Sequence, residues 1–291
     1  MKKKNYLTIF ETIHKLENFW TKKGCHIIQP LDISVGAGTF HHKTFFTTIA
    51  GTAAKFGYIQ PSRRPYDGRY GKNNNRLQHY YQFQIIINPV PSNIQDLYLE
   101  SLKYIFIDTT KNDIRFVEDN WENTTLGAWG MGWEVWLNGM EITQFTYFQQ
   151  MGGVQCNPVT VEITYGIERI SMHIQNVTNV YKLIWSKNKK NSVSYKDLFL
   201  QNEIEQSSYN FQHSNIQLLS NLFENHILES KRLFSLNPPL FIPSYEHVLY
   251  AIHNFNLLDA KKTMSSSERQ KKILFIRTLT KEIATKYKNL S

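Results

Sequence analysis

Two spacings of apolar residues divide the first half of the chain into helical and strand-like segments. Residues 8–24 carry an apolar stripe with helical spacing, opened by a capping box of Thr8 and Glu11 and closed by Gly24. Residues 94–106 repeat the helical spacing. The pattern therefore predicts one helix at the start of the chain and a second one within the strand-like part.

Five or six strand-like segments occupy the middle of the chain. Residues 56–60 and 77–87 form two of them, and the remainder lie within 113–165, where Asn138-Gly139 marks a tight hairpin. Most of these segments are joined by hairpins rather than by helical crossovers. The pattern therefore predicts an α+β fold, a mainly antiparallel β-sheet with flanking helices packed on one face.

The chain changes character after about residue 176. The polar run SKNKKNSVS is typical of a linker, and helical spacing dominates afterwards. The helical segments are 198–212, 215–235, 244–260 and a last one opened by a capping box at Ser265 and Glu268. We predict two domains, a catalytic one over 1–175 and a helical C-terminal one over 176–291.

The chain is basic, with 33 Lys and Arg against 24 Asp and Glu, a net charge of +9. This excess has two readings: a surface for a polyanion such as nucleic acid, or a general drift of composition towards lysine. Its two cysteines, Cys25 and Cys156, lie far apart and fit a reducing cytosol. With no signal peptide and no apolar stretch of membrane-spanning length, we expect a soluble cytoplasmic protein.

A long basic loop joins the two strands at 56–60 and 77–87. Connections between paired strands are usually short, and long ones tend to be functional. The returning strand presents His79 and Phe83 on one face, where an aromatic ring can stack on a purine. The alternative is a solvated basic turn over an ordinary aromatic strand face. The loop contains Arg63, Arg64, Arg69 and Arg76, whose guanidinium groups suit phosphate oxygens.

The run TYGIERI at 164–170 places Arg169 where a strand becomes a helix, a position that favours anions. Together with the arginine loop it resembles motifs 2 and 3 of class II aminoacyl-tRNA synthetases. The longer runs QPSRRPYDGRYG, NRLQHYYQFQ and EITYGIER, and all of DIRFVEDNWENTTLGAWGMGWEVWLNGMEITQFTYFQQMGG, are similar to the alpha-subunit family of bacterial tetrameric glycyl-tRNA synthetases. The likeness extends into the C-terminal region.

The resemblance implies a class II catalytic fold followed by a helical tail, and a role in protein biosynthesis. It implies that glycine and ATP react, with Mg²⁺ present, to give glycyl-adenylate and pyrophosphate. Glycine then passes to the 3′ end of tRNA(Gly). It also implies a beta subunit that supplies most of the tRNA binding, and a self-dimer within a tetramer of two alpha and two beta chains.

By the same resemblance, Arg63 bridges the substrate carboxylate and the α-phosphate. Phe83 stacks on adenine, His79 lies near the phosphates, and Arg169 holds the γ-phosphate or covers the other face of adenine. Two further arginines are candidates for phosphate or loop-ordering contacts: Arg64 and Arg76. We therefore expect Arg63 and Arg169 to meet over one nucleotide beside Phe83, and Arg63→Ala to abolish adenylate formation.

Two carboxylates, Glu141 and Glu162, are candidates for binding magnesium or the glycine ammonium, or are cross-strand partners of a basic residue. Glycine has no side chain to recognise, so its selection must depend on excluding larger amino acids. Candidates for filling that space are Gln82, Gln84, Trp121, Thr143 and Gln144. By the resemblance, Thr39 lies beside this pocket and is a candidate for contacting the substrate.

Some positions depart from the family pattern. Pro65 stands where motif 2 usually has an acid, Ser34 where the family has a glutamate, and Val161 where it has a glycine. Residues 45–53 also lack an arginine, a glycine and a glutamate that are typical of the family. These departures leave two alternatives open: a non-catalytic RNA-binding or regulatory paralogue, and a ligase acting on another acid without tRNA.

Overall fold

The computed structural model describes residues 6–290, and a seven-stranded sheet lies at the centre of this part of the chain. The lysines at positions 2–4 lie outside the described residues. The strands are β1 (His26–Ile27), β2 (Ala54–Arg63), β3 (His79–Asn88), β4 (Ile114–Asn123), β5 (Ala128–Leu137), β6 (Met140–Met151) and β7 (Val154–Gly166).

The order across the sheet is β1-β2-β3-β7-β6-β5-β4. The short β1 is parallel to β2, and the other neighbours pair antiparallel. The predicted hairpin between β5 and β6 turns at Asn138 and Gly139, whose φ angles of 49° and 82° are the left-handed conformations such a turn requires. The predicted α+β class, with its mainly antiparallel sheet, is confirmed.

Eight helices flank this sheet within residues 6–290. They are α1 (Ile9–Lys22), α2 (His42–Ala50), α3 (Ile94–Tyr104), α4 (Ile167–Gln175), α5 (Tyr195–Ser208), α6 (Ile216–Phe234), α7 (Phe241–Ala260) and α8 (Ser266–Leu290). Both predicted capping boxes form: Thr8 and Glu11 bond reciprocally at 2.8 and 3.2 Å, and so do Ser265 and Glu268. A helix at the α2 position was not predicted.

The polar run at 186–194 is not a linker. It belongs to a hairpin of β8 (Ile184–Lys187) and β9 (Ser192–Ser194). The turn is closed by the side chain of Asn188, which accepts the backbone N–H groups of Lys190 and Asn191, each at 2.8 Å. Asparagine often supplies this bond in turns, so a fully polar segment can still be ordered.

The two faces of the sheet are packed differently. One face lies against α1, α3 and α4, where Phe83, Phe145 and Tyr165 are fully buried together with Trp20. The other face is covered in part by α2 and the C-terminal helices. Phe45 of α2 stacks there on Tyr245 of α7, with ring centroids 4.1 Å apart. Helices therefore pack on both faces, not on one as predicted, and the uncovered part of the second face is polar.

Both hydrophobic cores continue past residue 175. Leu183 and Tyr195 belong to the same core as Trp20, and Ile276 belongs to the same core as Phe45. The division into domains at 175/176 stays a prediction, with the C-terminal helices packed closely on the sheet. Within residues 6–290 no helix is both long enough and apolar enough to span a membrane.

The capping box of α1 provides a test of local stability. Thr8→Ala removes the side-chain acceptor for the N–H of Glu11, and we expect the free energy of unfolding to fall by about 1 kcal/mol. Urea denaturation followed by tryptophan fluorescence measures this change. The matched control is Thr21→Ala at an exposed position of the same helix, which should change stability by less than about 0.5 kcal/mol. Equal losses in the two variants would contradict a capping role.

Candidate active site

A cavity of about 510 Å³ opens on the polar part of the second face of the sheet. Most of the predicted site residues line it: Thr39, Arg64, Arg76, Gln82, Trp121, Glu141, Thr143, Gln144, Glu162 and Arg169. Its volume lies within the range usual for small-molecule sites. Residues from β3, β6, β7 and the start of α4 thus meet in one place, as the motifs predict.

Arg63, His79 and Phe83 do not line this cavity, which corrects their predicted grouping. Arg63 pairs in register with His79, and alternation along β3 puts Phe83 on the same side as His79. Phe83 has no exposed surface and lies against Tyr165 in the core, with ring centroids 5.9 Å apart. In this structure its ring is not accessible to a nucleotide.

His79 does not carry the positive charge that would attract a phosphate group. Burial and the nearby charge of Arg63 lower the pKa of His79 to about 4, so it is neutral at pH 7. The same two causes, together, lower the pKa of His253 in α7 to about 4. Arg63 therefore lies near two neutral histidines outside the cavity.

Arg64, the residue after Arg63, is the arginine at this end of the loop that lines the cavity. Its Nε donates to the carbonyl oxygen of Gly36 at 3.0 Å, and its guanidinium lies 5.1 Å from the ring of Tyr80. The hydroxyl of Tyr80 donates to the same carbonyl at 3.1 Å. Arg64, Tyr80 and Gln82 therefore line the cavity, whereas their neighbours Arg63, His79 and Phe83 do not.

Two other arginines of the cavity are paired with acids. Arg76 lies 2.7 Å from a carboxylate oxygen of Asp67, and Arg169 lies 2.6 Å from Glu141. Arg169 also donates to the backbone carbonyl of Glu141 at 3.0 Å. Among the described residues Arg64 has no such carboxylate partner. Three guanidinium groups therefore line one cavity, and one of them is not neutralised by an acid.

Glu162 lies at the buried end of the cavity, with a relative exposure of 1%. The Thr39 hydroxyl donates to its Oε2 at 2.6 Å, while its Oε1 has no hydrogen-bond partner among the described residues. Burial raises the pKa of Glu162 to about 7. A buried carboxylate oxygen without a donor is costly, and a ligand with N–H groups would satisfy it.

A glycine-containing turn forms the wall beside Glu162. The N–H of Gly38 donates to the side chain of Gln82 at 3.0 Å, and a Cβ at position 38 would overlap the side chain of Gln84. Glycine is required there because the turn packs directly on the sheet. Gln84 itself accepts from the Thr164 hydroxyl at 2.7 Å and lies beneath this turn. The run SVGAGT therefore shapes the cavity.

The remaining predicted glycine-pocket residues lie on the opposite wall. Gln144 donates to Asp119 at 3.1 Å, and the Trp121 ring meets Phe148 edge-on at 5.9 Å. The hydroxyl of Thr143 points into the core, where it accepts from Tyr98 at 2.9 Å. Gln144 and Trp121 therefore present side chains to the cavity, whereas the hydroxyl of Thr143 does not.

Glu168, for which the sequence predicted no role, also lines the cavity. Its Oε1 accepts the N–H of Tyr81 at 2.9 Å and the hydroxyl of Tyr195 at 3.1 Å, and burial raises its pKa to about 7. It joins β3 to α4 and α5 where the pairing of β3 with β7 ends. The signal was its position directly before Arg169 at the start of a helix.

Two of the departures from the family pattern, Val161 and residues 45–53, lie away from the cavity walls. Val161 is fully buried in the core, and Phe45, Phe46 and Ile49 of α2 are buried against the C-terminal helices. Val161, which stands where the family has a glycine, therefore adds packing to the core without entering the cavity.

Within residues 6–290 no group of three or more His, Cys, Asp or Glu side chains is arranged to hold a metal ion. Magnesium often uses only one or two carboxylates together with substrate phosphates. Glu141 and Glu162, both at the cavity, would have to act in that way.

The arginines and the buried carboxylate together fit an enzyme that brings a phosphate-bearing substrate and a small cationic group into one site. Comparison with known proteins agrees. Residues 9–291 match the family described as "Glycyl-tRNA synthetase alpha subunit". A relative named "Glycine--tRNA ligase alpha subunit", from Buchnera aphidicola subsp. Baizongia pistaciae (strain Bp), is 63% identical over 281 residues, 96% of this chain and 94% of the relative.

The chain therefore belongs to the glycyl-tRNA synthetase alpha subunit family. The family predicted from the motifs is confirmed, and with it the enzyme class, an aminoacyl-tRNA ligase.

Two solved structures of pyrrolysyl-tRNA synthetase from Desulfitobacterium hafniense show a weaker likeness. They are 10% and 11% identical, with TM-scores of 0.41 and 0.42. The matched regions cover 64% and 62% of this chain and 76% and 74% of those chains. At these values the likeness carries no argument about the site.

The raised pKa of Glu162 predicts a specific pH dependence of stability. Below pH 4.5 the carboxyl is protonated in both states; between pH 4.5 and about 7 the unfolded chain ionises first, so the free energy of unfolding falls as pH rises. Glu162→Gln removes this contribution. We expect the stability difference between wild type and variant to change across that window and to be constant above it.

Urea denaturation at a series of pH values measures this difference, with Glu224→Gln at an exposed position as the control. A wild-type minus variant difference that stays constant from pH 4.5 to 7 would show that Glu162 is not held in its protonated form.

Proposed function

We propose that the chain activates glycine with ATP, forming glycyl-adenylate and pyrophosphate, and transfers glycine to the 3′ end of tRNA(Gly) together with a beta subunit. The observation that carries this proposal is the division of charge in the cavity. Arg64, Arg76 and Arg169 lie around it, and Glu162 lies at its buried end. The phosphates of ATP need positively charged groups such as these arginines, and the ammonium of glycine needs a carboxylate such as Glu162.

The phosphates of ATP bind to the arginines. Guanidinium groups make paired hydrogen bonds to phosphate oxygens, and Arg64 is not engaged by an acid. Arg64 bridges the α-phosphate and the carboxylate of glycine, the role that the resemblance first suggested for Arg63. Arg169 and Arg76 contact the outer phosphates, and their present partners Glu141 and Asp67 hold them towards the cavity.

The ammonium of glycine donates to Glu162. Its Oε1 lacks a partner and Thr39 fixes its other oxygen, so the carboxylate is oriented before the ligand arrives. An ammonium within hydrogen-bond distance favours the ionised form of a carboxyl whose pKa burial has raised to about 7. Gln82, Gln144 and Trp121 occupy the space that a side chain larger than hydrogen would need.

The chemical step is an in-line displacement at the α-phosphorus. A carboxylate oxygen of glycine forms the new bond as the bond to the bridging oxygen breaks and pyrophosphate leaves. Two anions must approach each other, and the guanidinium of Arg64 between them lowers their repulsion. Positioning and charge neutralisation supply the catalysis, and no protein nucleophile is needed.

Mg²⁺ fits this scheme as an ion held mainly by the phosphates. Glu141 is the carboxylate beside the outer phosphates and would supply the protein ligand, and Glu162 is the second candidate. When bound, the ion would neutralise phosphate charge and favour departure of pyrophosphate.

The partners proposed are those implied by membership of an alpha-subunit family: a beta subunit, tRNA(Gly), and a second copy of this chain within a tetramer of two alpha and two beta chains. The net charge of +9 suits an RNA partner. We place the protein in the cytoplasm. No observation favours the non-catalytic paralogue, because the cavity keeps its arginines and its buried carboxylate.

The proposed function is tested by ATP–pyrophosphate exchange with the chain and its beta subunit, measured separately with glycine, alanine, serine and other amino acids. We expect exchange with glycine alone. Exchange with a different acid would assign another substrate, and no exchange with any acid would favour the non-catalytic paralogue.

The two adjacent arginines provide a matched pair for the site assignment. Arg64→Ala should lower glycine-dependent exchange by at least about 100-fold, since it removes a charge between the two reacting anions. Arg63→Ala should change exchange by less than about tenfold, because its side chain lies outside the cavity. Thermal unfolding of both variants checks that the fold persists. The reverse order of losses would return the catalytic role to Arg63.

A further inference from the structure

The wall of the cavity formed by residues 64–78 is held from outside by a helix of the C-terminal region. This segment, the arginine loop, contributes Arg64 and Arg76 to the cavity. Its one regular element, within the described residues 64–78, is a short helical turn at Pro65–Asp67. The proposed chemistry uses its arginines but does not explain what keeps so long a loop in one conformation.

Glu203 of α5 contacts the loop at its last residue, directly before β3. Its Oε1 accepts the backbone N–H of Gln78 at 2.9 Å, and its side chain is buried, with a relative exposure of 3%. Arg64 at the other end of the loop donates its backbone N–H to the carbonyl oxygen of Gln78 at 2.8 Å. The residue that Glu203 holds is therefore bonded to the residue that carries the first arginine of the loop.

The residues that follow Glu203 along the helix continue the contact. The Ser207 hydroxyl accepts the N–H of Tyr70 at 3.0 Å, and the side chain of Asn210 donates to the carbonyl of Pro65 at 3.4 Å. Gly68 packs so closely that a Cβ there would lie 2.8 Å from the Ser207 hydroxyl. The loop therefore rests on one side of α5 and of the turn that follows it.

We propose that Glu203 is a positioning residue for the ATP step: its carboxylate anchors the arginine loop to α5 and so keeps Arg64 and Arg76 directed into the cavity. This inference rests on the proposed function, since it assigns the loop to ATP. Without the anchor the backbone would sample other conformations, and binding ATP would require the loop to be ordered each time. Glycine, held by residues of the sheet, would be affected much less.

The test uses the full chain with its beta subunit and compares Glu203→Ala, Glu203→Gln and Glu205→Ala in ATP–pyrophosphate exchange. Glu205 is the matched control because it is exposed on the same helix and bonds only to Gln201, at 2.7 Å, among the described residues. We expect Glu203→Ala to raise the KM for ATP at least tenfold and to leave the KM for glycine within threefold. Glu203→Gln should be intermediate, since an amide keeps one acceptor oxygen.

A second measurement follows the loop itself. Without ligands, trypsin should cleave at Arg69, Lys72 and Arg76 at least tenfold faster in Glu203→Ala than in wild type or Glu205→Ala. Equal rates of cleavage, or equal rises in both KM values, would overturn the inference. If wild type shows no exchange, the proposed function fails, and the cleavage rates still decide whether Glu203 anchors the loop.

Discussion

The site depends on the separation of the two faces of one antiparallel sheet. Because side chains alternate along a strand, β3 and β7 send one set of residues into a core of aromatic and branched aliphatic groups and the other set into the cavity. The apolar set, with Phe83 and Tyr165, packs against α1, α3 and α4 and fixes the strands. The polar set then lies on a rigid floor, which is what a preorganised site needs.

Charge is distributed along this floor according to burial. The arginines lie at the more exposed side of the cavity, where Asp67 and Glu141 neutralise two of them at little cost. Glu162 is almost fully buried, and burial opposes its ionisation until a cation binds beside it. The arrangement therefore favours a ligand that is anionic at one end and cationic at the other, as glycine and ATP are when they bind side by side.

The sequence predicted the elements well and the faces of the strands less well. Capping boxes, the Asn-Gly hairpin and the helical stripes depend on residues close together in the chain, and these formed as expected. Arg63 and Phe83 were predicted to face the nucleotide, but the neighbouring residues line the cavity instead. Which residues face the cavity depends on which face of the sheet the helices bury. A shift of one residue exchanges the two faces, and helices distant in sequence decide which face is buried.

Other parts of the site had little local signal. Glu168 and Glu203 resemble ordinary helical glutamates in the sequence, and hydrogen bonds to the backbone of Tyr81 in β3 and of Gln78 in the arginine loop give them their role. The ordered hairpin β8–β9 was hidden by its polarity, since an asparagine side chain, not apolar packing, closes its turn. In each case the structure is stabilised by a contact between distant segments or by a hydrogen bond to the backbone. Such contacts leave no trace in the spacing of apolar residues on which prediction depends.

The C-terminal helices are therefore part of the architecture of the cavity. Phe45 of α2 stacks on Tyr245 in the second core. In α5, Glu203 accepts the N–H of Gln78 in the arginine loop, and Tyr195 donates to Glu168. The contacts of α5 connect the region after residue 176 to walls of the cavity. A partner bound to these helices would act on the backbone that carries Arg64, because α5 and the arginine loop share buried hydrogen bonds. The sheet determines where the substrates lie, and the helical region determines how firmly the arginines face them.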